Sequence, residues 1–238
     1  MLNTLLEREV ARIQLGEFGL DPNLVLYVPL WKRDGSTFMS EDHYGHLATV
    51  TGALWRPDGR YFDGVDDDIR ITNPSFLDDT QGTIEFWCKT TAGGTVYPLS
   101  SSVVGTADDE IQVSVNTDIG NRRSGFVLLL NGSASFASFT PIDSIILDTW
   151  HHIVWTSDGS LVRGYIDGAN VALTVNVGTN TGQWFASAPD SNVLTLGGVL
   201  RATLVGDYTG IIGEVRLYNR ALTPLEIQHN YLATKWRY

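Results

Sequence analysis

Two short runs of acidic residues are the first candidates for chemistry in this sequence. One run is Asp66-Asp67-Asp68 and the other is Asp108-Asp109-Glu110. Protein sites for Ca²⁺ supply six to eight oxygen ligands, and turns combine carboxylates with backbone carbonyls in this way. The two runs predict at most one structural Ca²⁺. The alternative is that these are hydrated turn carboxylates without a metal.

Paired carboxylates are also the catalytic groups of glycoside hydrolases, which hold them about 5–9.5 Å apart. Asp108 and Glu110 have the i, i+2 spacing that places two side chains on one face of a strand. They follow residues 105–107, Gly-Thr-Ala, so they are also explained as solvated acids at the start of a strand. The sequence has no Gly-x-Ser-x-Gly elbow, phosphate loop or His-Glu-x-x-His motif.

Tryptophan side chains provide the third kind of candidate, because sugar rings stack on exposed aromatic faces. The chain has 7 tryptophans. Three of them, Trp31, Trp55 and Trp184, lie in predicted loops beside polar residues. We therefore expect these three to be ligand-binding residues, although loop tryptophans also close the edges of β-sandwiches.

Short strands separated by turns would position these side chains. Residues 110–115 alternate between polar and apolar types, as a half-buried strand does. Asp158-Gly159 and Asp167-Gly168 are strong turn signals. The sequence therefore predicts an all-β sandwich. The predicted strands are residues 24–30, 69–71, 83–89, 110–115, 125–130, 151–156, 161–166, 170–177, 193–196 and 211–218.

Residues 1–20 are predicted to form an amphipathic helix and a lead-in to the sandwich. Thr4 and Glu7 have the spacing of a capping box. The helix would carry one apolar stripe, formed by Leu2, Leu6, Val10 and Ile13. Because the stripe has no place in a sandwich that begins near residue 24, we expect residues 1–16 to contact a second chain or an assembly partner.

Five segments resemble, in the expected order, the motifs of laminin G-like domains in the concanavalin A-like lectin/glucanase superfamily. They are residues 59–67 (GRYFDGVDD), 82–87 (GTIEFW), 149–154 with 165–168 (TWHHIV and YIDG), 210–222 (GIIGEVRLYNRAL) and a helix starting at residues 223–226 (TPLE). The last segment combines a capping box with proline at the first helical position. The resemblance covers about residues 24–232 and implies a jelly-roll sandwich of two antiparallel sheets. We therefore predict one β-sandwich domain over residues 21–238, with short N- and C-terminal helices at its ends.

The resemblance also bears on the candidate sites. The Glu-x-Asp-x-x-Glu strand of the glucanase branch is absent here, so we expect that the chain is not an enzyme. The run at Asp108 and Asp109 resembles the metal-binding strand start of pentraxins, and by that match these two residues would be the leading Ca²⁺ ligands. Asp66 and Asp67 follow as second candidates. Pentraxins carry a further acidic loop after a Leu-Gly pair, whereas residues 198–201 here are Gly-Val-Leu-Arg.

Composition narrows the possible partners and compartments. The net charge of −11 disfavours nucleic acid, since an acidic surface repels phosphates. Residues 1–20 lack the apolar stretch of a secretory signal, and no segment approaches the length of a membrane span. We therefore expect that the protein is made in the cytoplasm, and that it then either becomes part of a virion or is exported without a signal peptide. Cys88, the single cysteine, is expected to be buried.

Three functions remain open at this point. The first is a non-catalytic laminin G-like module that recognises a glycan or a protein surface. The second is a structural or decoration protein of a virion or another large assembly, working as a homo-oligomer. The third and least favoured is a glycoside hydrolase.

Overall fold

The computed structural model describes residues 21–91 and 93–238. Their strands are β1 (Leu24–Pro29), β2 (Thr37–Met39), β3 (Leu47–Thr51), β4 (Leu54–Arg56), β5 (Gly59–Asp63), β6 (Asp68–Thr72), β7 (Gly82–Thr90), β8 (Thr95–Ser102), β9 (Glu110–Asn116), β10 (Arg123–Leu130), β11 (Ser133–Phe139), β12 (Trp150–Ser157), β13 (Val162–Ile166), β14 (Ala169–Val171), β15 (Thr174–Val177), β16 (Val193–Leu196), β17 (Val199–Leu200), β18 (Leu204–Val205) and β19 (Thr209–Tyr218). The helix α1 spans Pro224–Thr234, and short 3-10 helices span Ser75–Asp78, Phe185–Ser187 and Lys235–Arg237.

The strands form two large antiparallel sheets, which confirms the predicted all-β, jelly-roll sandwich. The eight-stranded sheet has the order β14-β13-β12-β7-β19-β5-β4, with β1 paired to β19. The nine-stranded sheet has the order β15-β11-β10-β9-β8-β16-β6-β3-β2. A separate hairpin of β17 and β18 follows β16.

The main core lies between the two sheets. Phe126 of β10 packs against Trp155 of β12 and Trp184, with ring centroids 5.8 and 5.7 Å apart. Trp155 is fully buried, and its Nε1 donates to Ser124 Oγ at 3.1 Å, so its polar atom is satisfied. Cys88 is 2% exposed, as predicted.

The segment 170–177, predicted as one strand, is divided between the two sheets. Residues of β14 pair with β13 in the eight-stranded sheet, whereas those of β15 pair with β11 in the nine-stranded sheet. The local sequence favours extended backbone throughout. The chain passes from one sheet to the other at residues 172–173 because each half of the segment pairs with a different distant strand. Local strand propensity does not predict the choice of partner strand.

Strand β19 also differs from its prediction, in which residues 211, 213, 215 and 217 share one face. A bulge between Ile212 and Glu214 shifts the register against β7. As a result Ile212, Val215 and Leu217 point into the main core. A bulge places two residues opposite one partner residue, which changes the face of every residue beyond it.

The C-terminal helix α1 begins as its sequence predicts. The Thr223 hydroxyl accepts the Glu226 amide at 3.3 Å, and Glu226 Oε2 accepts the Thr223 amide at 2.7 Å. The helix covers the outer face of the eight-stranded sheet, where Ile227 joins a second small core with Val154 and Tyr218. This cover explains why β1 and β19 are buried on both faces.

Beneath α1 the outer face carries a cluster of buried charges. Arg216 is 1% exposed and donates to Glu85 Oε1 at 2.9 Å and to Glu214 Oε1 at 2.7 Å. Glu85 also interacts with His152 Nε2 at 3.0 Å and accepts from Asn230 of α1 at 2.8 Å. Burial opposes ionisation of Glu85, but the His152 hydrogen bond and the Arg216 charge outweigh it and lower the Glu85 pKa.

The predicted amphipathic segment 1–20 lies outside the described residues. Within residues 21–91 and 93–238, no helix is long and apolar enough to cross a membrane.

Candidate functional site

A cleft of about 230 Å³ lies on the outer face of the nine-stranded sheet, over β8, β9, β10 and β11. Its position follows from the alternation along β9. Ile111, Val113 and Val115 point into the core, so Ser114 and Asn116 point to the opposite face. The floor of the cleft therefore combines these polar side chains of β9 with the apolar side chain of Val127 from β10.

Two aromatic rings form the sides of the cleft, and each ring packs against a glycine. The Tyr97 ring lies against Gly206, where an added Cβ would come within 2.2 Å of it. The Phe139 ring lies over Gly125, its pairing partner on β10, where a Cβ would come within 2.6 Å. Glycine is required at both positions because any side chain would displace the ring.

Polar side chains complete the lining. Arg123 stacks on Phe139, with its guanidinium carbon 4.2 Å from the ring centroid. Asn116 donates to Thr95 Oγ1 at 2.7 Å, and Asn121 lines the rim from the loop between β9 and β10. The cleft thus combines aromatic faces with amide, hydroxyl and guanidinium groups.

The hairpin of β17 and β18 limits the cleft to these four strands. Ser100 Oγ donates to the Gly198 carbonyl at 2.8 Å, and Ser102 Oγ donates to the Leu200 carbonyl at 2.6 Å. Both bonds hold the hairpin over β8 and its neighbour β16. Val199 and Leu200 are consequently buried.

The three residues of the acidic run at Asp108 lie in different surroundings. Glu110 is fully buried, and Arg201 of the hairpin region donates to both of its oxygens, at 2.6 and 2.9 Å. Gln112 donates to Glu110 Oε2 at 2.5 Å. Asp109 Oδ1 accepts the Asn131 amide at 3.1 Å, whereas Asp108 is exposed. With Glu110 held by Arg201, the run offers Asp108 and Asp109 as the remaining side-chain oxygens for a cation.

The other acidic run contributes to a closer group. One carboxylate oxygen from each of Asp63, Asp66 and Asp67 lies within 4.8 Å of the others, and this is the group of three found among the described residues. Burial, and then the charges of Asp63 and Asp66, raise the Asp67 pKa against the hydrogen bond from the Asp63 amide. Asp63 was not among the candidates from sequence. Asp68 is buried separately, in an ion pair with Arg70.

Of the three tryptophan candidates, Trp31 and Trp55 are neighbours, and Trp184 lies apart from them in the core. Trp184 is 2% exposed and stacks on Phe126 in the core, so the expectation that it lies in an accessible loop is corrected. Trp55 is 41% exposed at the edge strand β4, and its Nε1 donates to the Trp31 carbonyl at 2.9 Å. The Trp31 ring is covered by the guanidinium of Arg237, 3.6 Å from its centroid.

The residues of the cleft were missed in the sequence. Asn116 could have been found, because the clean alternation of β9 places it on the outer face. Tyr97, Arg123 and Phe139 could not have been grouped, since their proximity depends on the pairing of β8 with β9 and of β10 with β11.

Comparison with solved structures finds the same fold in sialidases and in a carbohydrate-binding module. A mutant of Trypanosoma rangeli sialidase displaying trans-sialidase activity has a TM-score of 0.68 and 22% identity, over 90% of this chain and 33% of that chain. Ruminococcus gnavus IT-sialidase CBM40 bound to alpha2,3 sialyllactose has a TM-score of 0.55 and 16% identity, over 66% of this chain and 85% of that chain. The present chain thus spans about a third of the length of the trypanosomal sialidases. No curated protein sequence matches it significantly.

These neighbours contradict the expectation that the chain is not an enzyme, because the sialidases are enzymes. That expectation depended on missing motifs, and a missing motif excludes only the chemistry of that motif. At 22% identity the likeness is one of fold. It assigns no catalytic residue to this chain.

The sequence family is shown by a match that covers most of the chain. Residues 58–228 match a laminin G family described as "Concanavalin A-like lectin/glucanases superfamily". The matched region extends from β5 into the first half of α1. It omits β1–β4 but includes the other strands of both large sheets and the whole cleft. The chain therefore belongs to the concanavalin A-like lectin/glucanases superfamily.

Proposed function

We propose that this chain binds glycans, and that the cleft over β8–β11 is the binding site. The observation that carries the proposal is the composition of the cleft. The rings of Tyr97 and Phe139 border a floor of hydrogen-bonding groups from Ser114, Asn116 and Arg123. Small-molecule sites are concave and partly apolar, with a few polar groups that fix orientation.

A sugar ring matches this arrangement chemically. A pyranose has C–H groups that pack on aromatic rings and hydroxyls at its edge that both donate and accept hydrogen bonds. Asn116 uses its carbonyl to accept the Asp118 amide and one N–H to donate to Thr95 Oγ1, which leaves its second N–H for a ligand. Ser114 supplies a hydroxyl that both donates and accepts. The volume of about 230 Å³ lies below the roughly 300 Å³ at which pockets for small ligands begin, so the cleft would take a short terminal part of a glycan.

The structural neighbours support the same class of ligand. The Ruminococcus gnavus module, which shares the fold over 66% of this chain, was solved with sialyllactose bound. That likeness is one of fold, so the proposal for this chain depends on the cleft itself.

A glycan-binding assay with paired variants tests the proposal. We expect the wild-type chain to bind members of a glycan array, and the Tyr97→Ala variant to lose at least about tenfold in affinity, equivalent to 1.4 kcal/mol. Tyr44→Ala is the matched control, because Tyr44 is an exposed tyrosine (56%) at a different surface. Its affinity should equal that of the wild type.

Two results would count against the proposal. One is the absence of binding to any glycan on the array. The other is binding that Tyr97→Ala leaves unchanged while Tyr44→Ala or Trp55→Ala abolishes it. Thermal melting of each variant confirms that the loss does not come from unfolding.

A further inference from the structure

The charge of the cleft indicates what kind of glycan it takes. Among the described side chains that line it, Arg123 alone is charged, and the others carry amide, hydroxyl or apolar groups. The chain as a whole has 27 acidic and 16 basic residues. The cleft is therefore a locally positive site on an acidic protein.

The guanidinium of Arg123 has no anionic partner among the described residues. Its recorded contact is the face of Phe139 at 4.2 Å, and no ion pair or hydrogen bond joins it to a described carboxylate. Asp118, the acidic residue of the adjoining loop, directs Oδ1 to the Gly94 amide at 2.9 Å instead. Stacking on a ring holds the guanidinium plane and leaves its N–H edge available.

Three arginines on the same face of the sheet or in other clefts are neutralised by ion pairs with carboxylates. On the same face of the sheet, Arg201 makes a bidentate pair with Glu110. Two larger clefts, of about 350 and 470 Å³, flank the start of α1. In the first, Arg220 is paired with Asp21 and Glu226, and in the second, Arg163 is paired with Asp158. Arg123 differs from these three arginines because no described carboxylate pairs with its guanidinium.

We propose that the cleft recognises an anionic glycan, and that Arg123 binds its carboxylate or sulfate group. This inference rests on the proposed glycan-binding function and specifies its ligand class. Arginine offers parallel N–H donors that match a carboxylate or sulfate in a bidentate geometry. Asn116 and Asn121 then provide hydrogen bonds for the neutral hydroxyls, which positions the acidic group over the Phe139 edge of the cleft.

The test compares ligands that differ only in the acidic group. Calorimetric titrations would use lactose as the neutral probe, 3′-sialyllactose as the carboxylate probe and 3′-sulfolactose as the sulfate probe. We expect at least one acidic probe to bind ten or more times as tightly as lactose. The Arg123→Gln variant, which keeps N–H donors but removes the charge, should reduce the affinity for that probe about tenfold and change lactose binding less than twofold.

A second arginine provides the control. Arg56 stacks on Tyr61 with its guanidinium carbon 3.9 Å from the ring centroid, in the eight-stranded sheet and away from the cleft. Arg56→Gln should leave all affinities unchanged. Raising the salt concentration should weaken acidic-probe binding in the wild type more than in Arg123→Gln, because ionic contacts are screened.

The outcomes separate the two proposals. Equal binding of acidic and neutral probes, or acidic-probe binding that Arg123→Gln does not change, would overturn the anionic ligand while glycan binding stands. If none of the probes binds and no glycan on the wider array binds, both proposals fail. The relative response to the carboxylate and sulfate probes identifies the source of the charge.

Discussion

Replacing Arg216 with methionine would remove the guanidinium that Glu85 and Glu214 share beneath α1. Glu85 would keep His152 and Asn230 as partners, at 3.0 and 2.8 Å. Glu214 would keep only long contacts from Tyr27 and Trp31 among the described residues, at 3.4 and 3.5 Å. Removing one member of a buried ion pair destabilises a protein by about 3–5 kcal/mol. We expect that loss in the free energy of unfolding at pH 7.

The loss should depend on pH, and its sign follows from the lowered pKa of Glu85. In the wild type, ionised Glu85 contributes stability above the ordinary glutamate pKa of about 4.3. That contribution disappears as the pH falls through the lowered pKa. Because Arg216→Met lacks the guanidinium at every pH, the difference in unfolding free energy between the two proteins should narrow as the pH falls below about 4.3.

Chemical denaturation followed by tryptophan fluorescence measures this difference directly. For a chain of this size, about 3–5 kcal/mol corresponds to a fall in melting temperature of roughly 6–20 °C. Arg163→Met is the control, because its ion pair with Asp158 is 38% exposed on both sides and such pairs contribute about 0–1 kcal/mol. A loss below about 1 kcal/mol in Arg216→Met, or a loss that does not change with pH, would show that the buried ion pairs of Arg216 do not stabilise the fold.

Three other outcomes follow from the structure. Trp184→Ala should cost about 3–5 kcal/mol in unfolding free energy, since the ring is 2% exposed, and a cost no greater than that of Trp55→Ala would contradict its place in the core. Millimolar Ca²⁺ should raise the melting temperature relative to chelator if one cation binds the folded state. Loss of this rise in Asp66→Asn would assign the cation to the group of Asp63, Asp66 and Asp67, and loss in Asp108→Asn would assign it to the run at Asp108. No rise in the wild type would exclude Ca²⁺ binding. Deleting residues 1–16 should change the mass measured by light scattering while the far-UV spectrum remains that of a β-protein, and an unchanged mass would oppose their proposed role in assembly.

The fold was predictable because its signals are local. Alternation specified β9, and the residues at Thr223-Pro224-Leu225-Glu226 specified the start of α1. Eight strands were not predicted, namely β2, β3, β4, β5, β8, β11, β17 and β18. Two other assignments failed, those of residues 170–177 and of the faces of β19. Both errors concern register and partner choice, which arise from long-range pairing and from the bulge near Gly213.

The candidate site was less predictable, and the tryptophans show why. Residue type and a loop position suggested Trp184 as a sugar platform, but its ring fills the space between the sheets. The local sequence does not mark Tyr97 or Phe139 as a candidate, because each is an ordinary aromatic residue in its own segment. Their role depends on Gly206 and Gly125, whose missing side chains make room for the rings. Such a relation is visible only after the strands are paired.

Amide chemical shifts can show directly whether a glycan binds at the cleft over β8–β11. Titration of the isotope-labelled chain with a glycan selected from the array should shift the amide signals of Tyr97, Asn116, Arg123 and Phe139 together. Signals around Trp31 and Trp55 should stay in place. Shifts confined to the Trp31 and Trp55 surface, with the β9 and β10 signals unchanged at saturation, would place the glycan outside the cleft.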